Sequence, residues 1–234
     1  MEPPAAAIEA IGPAPATIPA DLTVDADQVV EIQGIGWAGY KAVARLRQGR
    51  SRPKMIYIDG DLILVSPGQP HERLNIRVGR FFYEIIANLR IPTLSLGQTT
   101  WRRRRKDAAL EGDQTFYIAN EPLVRGRKVD LRVDPPPDLA IEVVYSHKAT
   151  RALEVYQRLG VPEVWICEEN RTAILVRQED GEYKEVDRSL CLPLLSAAEI
   201  YAQTQQPEGM AELDWIDGLR RWVREVLLPQ VPHA

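Results

Sequence analysis

Cysteine is scarce in this chain, with only Cys167 and Cys191 among 234 residues. Two cysteines without zinc-site spacing predict neither a disulfide framework nor a cysteine metal centre. A strong charge of one sign is also missing, because 29 basic residues face 33 acidic ones and leave a net charge of −4. Any attraction to a polyanion must therefore come from a local cluster of basic side chains.

Long hydrophobic runs are missing as well. No segment approaches the roughly 20 apolar residues that a membrane-spanning helix needs. The first residues show no basic region followed by an apolar one, as a secretory signal would. We therefore expect a soluble, cytoplasmic protein with reduced cysteines and no membrane partner.

The composition predicts one domain of ordinary size, since 45% of the residues are hydrophobic and 26% are charged. Residues 1–20 are rich in proline and alanine and predict a disordered tail. We expect residues 21–206 to form the domain. Residues 207–234 predict a C-terminal helix that packs on this domain or at the interface of a homodimer.

Hydrophobic periodicity predicts an α/β fold, with a mixed sheet flanked by helices. The unit of strand 138–144, helix Ala149–Leu159 and strand 163–167 favours a parallel crossover. The other predicted elements are a helical stretch within 21–49, a hairpin over 54–65, a helix over Gln69–Leu89, strands over 93–101 and 112–118, a hairpin of Thr172–Arg177 with Tyr183–Val186, and helices over 196–206 and 208–227.

Two acidic residues, Asp113 and Glu142, lie inside successive apolar strand patterns. An unpaired charge in such a position costs several kcal/mol, so the pattern suggests a bound cation. Carboxylate oxygens are ligands that Mg²⁺ prefers. The run of Arg102, Arg103, Arg104, Arg105 and Lys106 precedes the first acid and would track phosphates of DNA. Together, the two acids and the basic run indicate a metal-dependent nuclease.

Each of these residues also has a purely structural interpretation. Asp113 would then lie at an exposed strand end, and Glu142 would form a buried ion pair with an arginine. The basic run would be a solvated hairpin tip. His71 projects close to the apolar side of its helix, where a packed histidine is expected rather than a general base.

Four blocks occur in order along the chain, namely SPGQPHER at 66–73, EGDQTFYIAN at 111–120, PPDLAIEV at 136–143 and YQRLGVPEVW at 156–165. Together they resemble the bacterial Uma-type restriction endonuclease family, a branch of the PD-(D/E)XK nuclease superfamily. The resemblance covers roughly residues 40–200. It implies a restriction-endonuclease-like fold, dependence on Mg²⁺ (or Mn²⁺), and DNA as the substrate.

By this resemblance, Asp113 and Glu142 are the metal-binding pair and Glu72 is an auxiliary acid from the helix. The usual lysine positions carry Val144 and Ala152 instead. Lys148 and Arg151, near the start of the same helix, are then the nearest replacements, and Lys148 is the one expected to stabilise charge in the transition state.

The missing lysines leave a second hypothesis open. The chain would then be a catalytically lapsed nuclease-fold protein that acts as a DNA-binding or protein-interaction module. Gly112 also departs from the superfamily pattern, because it replaces the proline of the first half-motif.

Overall fold

The computed structural model describes residues 26–144 and 149–231. The predicted tail over 1–20 and Lys148 lie outside these ranges. The elements are, in chain order, β1 Gln28–Ile32, α1 Gly36–Leu46, β2 Lys54–Ile58, β3 Asp61–Ser66, α2 Gln69–Leu89, β4 Leu94–Ser95, β5 Thr100–Arg103, β6 Ala108–Glu111, β7 Gln114–Tyr117, α3 Glu121–Val124, β8 Leu139–Val144, α4 Ala149–Leu159, β9 Glu163–Glu168, β10 Thr172–Arg177, β11 Tyr183–Val186, α5 Ala197–Thr204 and α6 Glu212–Trp222.

The first sheet has five antiparallel strands in the order β1-β3-β2-β6-β5. Its β2–β3 hairpin turns at Asp59 and Gly60, which have φ values of 51° and 86°. Two successive positive φ angles match the twist of the flanking strands, which is why an Asp-Gly pair suits this turn.

The second sheet has six strands in the order β11-β10-β9-β8-β7-β4. Strands β8 and β9 are parallel, with Leu139 paired to Glu163, and the other neighbouring strands are antiparallel. Helix α4 makes the crossover between the two parallel strands. The predicted mixed sheet is this one.

The chain forms two sheets where the sequence pattern predicted one. The predicted strand over 93–101 is divided between β4 and β5, which belong to different sheets. Gly97, with a φ of 48°, lies between them and breaks the extended backbone. Strand β6 was missed because its alanines carry little β-strand signal, and β1 lies in the region predicted to be helical.

The core between α2 and the six-stranded sheet also includes the C-terminal segment. Phe82 of α2 stacks on Phe116 of β7 with ring centroids 3.9 Å apart. The α6 helix begins at Glu212 and continues into a π-helical turn over Val223–Leu227. The buried apolar residues of this segment join the same core, namely Trp215, Ile216, Leu219, Val223 and Leu227. These side chains are therefore not available to contact a second copy.

Within the described residues, no helix is long and apolar enough to cross a membrane.

Replacing Phe82 by alanine tests this core. We expect the free energy of unfolding to fall by about 3–5 kcal/mol, because the change leaves a cavity under α2. Ile76 lies on the same helix and is 54% exposed, so Ile76→Ala is the matched control and should cost about 0.5 kcal/mol. Urea titration measures both values, and equal losses would contradict the packing.

Candidate functional site

The chain passes from the first sheet to the second at Gly112 and Asp113. Strand β6 ends at Glu111 in the five-stranded sheet, and β7 begins at Gln114 in the six-stranded sheet. Asp113 is therefore held at the junction of the two sheets. It is 2% exposed, so the prediction of an exposed strand end is wrong.

Glu142 faces Asp113 on the neighbouring strand β8. The last pair of the β7–β8 ladder joins Gln114 to Ile141, and Asp113 lies one position beyond it. The backbone N–H of Asp113 donates to Glu142 Oε1 at 3.2 Å, and the N–H of Val143 donates to Asp113 Oδ2 at 3.1 Å. The structure thus brings the two predicted acids side by side in a buried position.

Asp113 is neutralised by two side chains from distant parts of the chain. Lys54, the first residue of β2, forms an ion pair with Asp113 through its Nζ. His71, in the first turn of α2, places Nε2 3.4 Å from Asp113 Oδ1. Its Nδ1 lies 3.2 Å from Asp27 Oδ2, so the imidazole bridges two carboxylates. His71 is buried as expected, but it belongs to the polar site and not to the apolar core.

These contacts change the acid–base properties of the group. Burial by itself would lower the pKa of His71, but the hydrogen bonds to Asp113 and Asp27 raise it to about 9. Burial would raise the pKa of Asp113, yet Lys54 and His71 outweigh it and hold the pKa below its ordinary value. His71 and Lys54 are therefore cationic at neutral pH, and Asp113 is anionic.

Glu142 has a different environment. Burial and the nearby charge of Asp113 raise its pKa above the ordinary value. The hydroxyl of Tyr156, on α4, donates to Glu142 Oε1. The predicted buried ion pair between Glu142 and an arginine is not formed by the described residues, whose hydrogen bonds to Glu142 come from Tyr156 and the Asp113 backbone.

Gly112 makes this hydrogen bond possible. A Cβ atom at position 112 would overlap the Tyr156 hydroxyl and would lie 2.8 Å from Glu142 Oε1. The absence of a side chain therefore lets the tyrosine reach the carboxylate. Glycine in place of proline at this position therefore has a steric reason.

A second ion pair fixes the strands that carry the site. Arg47, at the end of α1, forms a bidentate pair with Glu111 and also donates to the carbonyl of Pro53. Glu111 Oε2 accepts from the backbone N–H of Met55 at 3.2 Å. The start of β2, and with it Lys54, is thereby tied to the end of β6 beside Asp113.

A cavity of about 50 Å³ opens beside the acids. Its polar lining consists of Asp27, Lys54, His71, Glu111 and Glu142, and its apolar lining consists of Ile56, Val65, Val143, Val144 and Ala152. This volume accommodates one or two water molecules or a small ion. The lining does not include Asp113, whose oxygens are contacted by Lys54, His71 and the Val143 N–H.

The donor chemistry of the acid pair fits Mg²⁺ or Mn²⁺. Over residues 26–144 and 149–231, no three His, Cys, Asp or Glu side chains are grouped to hold an ion by themselves. Mg²⁺, however, is commonly held by one or two carboxylates, with water and phosphate oxygens completing its shell. Asp113 and Glu142 supply two carboxylates, provided that the Lys54 ammonium moves off Asp113.

Comparison with known proteins assigns the chain to a family. The family model Uma2, described as "Putative restriction endonuclease", matches residues 40–205. The chain belongs to this family. The family resemblance found in the sequence is thereby confirmed.

Among solved structures, the Uma2 chain is similar to the crystal structure of a putative nuclease belonging to DUF820 from Anabaena variabilis ATCC 29413. The TM-score is 0.50 and the sequence identity is 17%, and the match covers 69% of this chain and 97% of that chain. At this identity the likeness shows the fold, and the predicted nuclease-like α/β class is confirmed. A search of the curated proteins finds no match.

Glu72 of this Uma2 chain lies at the edge of the site and does not line the cavity. Its carboxylate is 2.6 Å from Arg52, and a quarter of its side chain is exposed. Lys148 falls outside the described residues. Asp138 has a structural role, because it accepts hydrogen bonds from the backbone N–H groups of Ile118 and Asn120.

The five basic residues do not form a single loop in the Uma2 chain. Arg102 and Arg103 belong to β5, and Arg103 donates to the carbonyl of Leu131. Arg104, Arg105 and Lys106 form an exposed 3₁₀ turn at the β5–β6 hairpin tip. Since Thr100 pairs with Glu111 and Arg103 with Ala108, this tip lies at the far end of the hairpin from the acids.

Sequence reasoning missed four side chains of the site: Asp27, Lys54, Glu111 and Tyr156. Lys54 had one usable signal, since it is a charged residue at the start of an apolar strand pattern. Asp27 lies just before the unpredicted strand β1. Tyr156 lies within a family block, but its hydroxyl reaches Glu142 only because position 112 is glycine.

The contact among Gly112, Tyr156 and Glu142 is testable by a double-mutant cycle. We expect Gly112→Ala to lower the free energy of unfolding by about 1–3 kcal/mol, because the new methyl group overpacks the site. In a Tyr156→Phe background the same change should cost at least about 1 kcal/mol less, since the hydroxyl is gone. Chemical denaturation of the four proteins measures the coupling. An equal cost in both backgrounds would refute the steric argument.

Proposed function

We propose that the protein is a metal-dependent DNA endonuclease, in which Asp113 and Glu142 bind Mg²⁺ or Mn²⁺. The observation that carries the proposal is the pair of buried carboxylates facing each other across β7 and β8 beside a polar cavity. Membership of a restriction endonuclease family supports the same reaction.

The chemistry is hydrolysis of a phosphodiester. A water oxygen forms a bond to phosphorus, the bond from phosphorus to the leaving sugar oxygen breaks, and one water proton ends on that sugar oxygen. A bound divalent ion supplies a polarised water and neutralises charge on the phosphate. Asp113 and Glu142 hold the ion and fix its position against the strands.

Other residues have supporting roles in this proposal. Glu72, at the edge of the site, is an auxiliary acid. Its carboxylate holds a water molecule or makes a further contact on the side where the substrate binds. Lys148 remains a proposed stabiliser of negative charge. The Arg102–Lys106 segment contacts the DNA backbone, with the exposed turn of Arg104, Arg105 and Lys106 as its strongest part.

Plasmid cleavage tests the reaction. The wild type should nick or cut plasmid DNA with Mg²⁺ or Mn²⁺, and Asp113→Asn and Glu142→Gln should each lower the rate by on the order of 10²-fold or more. Glu179→Gln, an exposed acid-to-amide change in the β10–β11 turn, is the matched control and should retain the wild-type rate. Equal cleavage by all four proteins would indicate a contaminating nuclease and would remove the support for this function.

DNA contact by the exposed turn is tested by salt-dependent binding. Changing Arg104, Arg105 and Lys106 to glutamine should weaken binding to all DNA sequences alike. It should also reduce the slope of log K against log salt by up to about 3. The same loss of charge at Arg171, Lys184 and Arg188, near the β10–β11 hairpin, should leave the slope unchanged. Fluorescence anisotropy at several salt concentrations measures both sets, and equal slopes would contradict the contact.

A second function is favoured by the ion pair between Lys54 and Asp113 and by the absence of lysine at positions 144 and 152. The protein would then be a catalytically lapsed DNA-binding or protein-interaction module. DNA binding without cleavage under any divalent metal ion would support this function over the first.

A further inference from the structure

Lys54 is the buried cation of the site. Among the described residues it is the only lysine or arginine that is buried, with 5% of its surface exposed. Burying an ammonium group is costly unless it is paired, and its partner is the buried carboxylate of Asp113. The charge of Glu142 acts on it as well. Lys54 thus contacts one of the two acids proposed to bind the metal ion and lines the same cavity as the other.

The backbone around Lys54 is held in place. Lys54 pairs with Val65 in the β2–β3 ladder, and the preceding Pro53 carbonyl accepts from Arg47. Lys54, Ile56 and Val65 all line the cavity. The backbone is therefore fixed, while the four-carbon stem leaves the ammonium free to change partners.

The lining of the cavity also contains Val144 and Ala152. Neither side chain carries charge, so the described part of the lining draws its positive charge from Lys54 and His71. His71 is held at both ring nitrogens by Asp27 and Asp113. Lys54, with three donors on a flexible stem, is the group able to reach a phosphate oxygen in the cavity.

We propose that Lys54 is a catalytic residue of this site, whose ammonium moves from Asp113 to the scissile phosphate when a divalent ion binds the two acids. This inference rests on the proposed nuclease function and assigns to β2 the cation that positions 144 and 152 lack. The ammonium neutralises charge that develops on the non-bridging phosphate oxygens. It forms and breaks no covalent bond.

Removing the Lys54 ammonium should change metal affinity and cleavage in opposite directions, which loss of a purely structural ion pair would not do. Lys54 and a metal ion would compete for the Asp113 carboxylate, so removing the ammonium should help metal binding while it harms cleavage. In Lys54→Met, which keeps the apolar stem, we expect cleavage to fall by on the order of 10²-fold. Mn²⁺ affinity, measured by calorimetry on the protein without DNA, should rise at least about threefold.

Moving the charge provides the decisive control. Ala152→Lys in the Lys54→Met background places an ammonium at another position of the same cavity lining and should restore cleavage at least about tenfold. Lys54→Arg keeps the ion pair with Asp113 but replaces the mobile ammonium by a planar fork, so cleavage should fall at least about tenfold. Thermal melting of each variant reports whether it is folded, and Lys54→Arg answers the question if Lys54→Met does not fold.

The outcomes separate this inference from the proposed function. If the wild type cleaves DNA and Lys54→Met or Lys54→Arg cleaves within about threefold of it, Lys54 is not catalytic and the nuclease function stands. Joint loss of cleavage and Mn²⁺ binding in Lys54→Met would make Lys54 a support for the acids, and would also overturn the inference. A wild type that binds DNA but never cleaves it would overturn the nuclease function, and the role of Lys54 with it.

Discussion

The ion pair between Lys54 and Asp113 is the interaction on which the site depends. Asp113, Glu142 and Glu111 are all buried where the two sheets meet, and each burial removes a carboxyl group from water. Lys54 and His71 offset the charge of Asp113, and Arg47 offsets that of Glu111. Glu142 has no such cation in direct contact among the described residues, which explains why its pKa is raised while that of Asp113 is lowered.

This distribution of charge links the structure to the proposed chemistry. A site built only for stability would gain more from apolar side chains of the same volume than from buried ions. Here the buried ions lie beside a cavity, and Glu142, which has no direct cationic partner among the described residues, is one of the carboxylates that line it. A divalent ion would neutralise the charge of Glu142, as Lys54 neutralises that of Asp113. Membership of the Uma2 family agrees with such a use.

The sequence predicted the parts of the fold that have strong periodicity. The bounds of α2, α4, β10 and β11 match the structure, because their apolar spacing is unambiguous. The separation into two sheets was not predictable, since it depends on a break at Gly97 and on a weak alanine-rich strand. The two acids were found through strand pattern and family blocks. Lys54 and Asp27 were missed because the residues that hold them in the site are distant in the sequence. Asp113 lies 59 positions from Lys54, and His71 lies 44 positions from Asp27.

The contacts from Asp27 through His71 to Asp113 connect the edge of the first sheet to the buried acids between the two sheets. Asp27 directly precedes β1, which is an edge strand with most of its residues in contact with solvent. Edge strands open more readily than central ones, so hydrogen exchange is fastest there. When β1 opens, His71 loses its contact with Asp27 and keeps its contact with Asp113. The electrostatic state of the buried acids is thus coupled to local unfolding at the outermost strand of the first sheet.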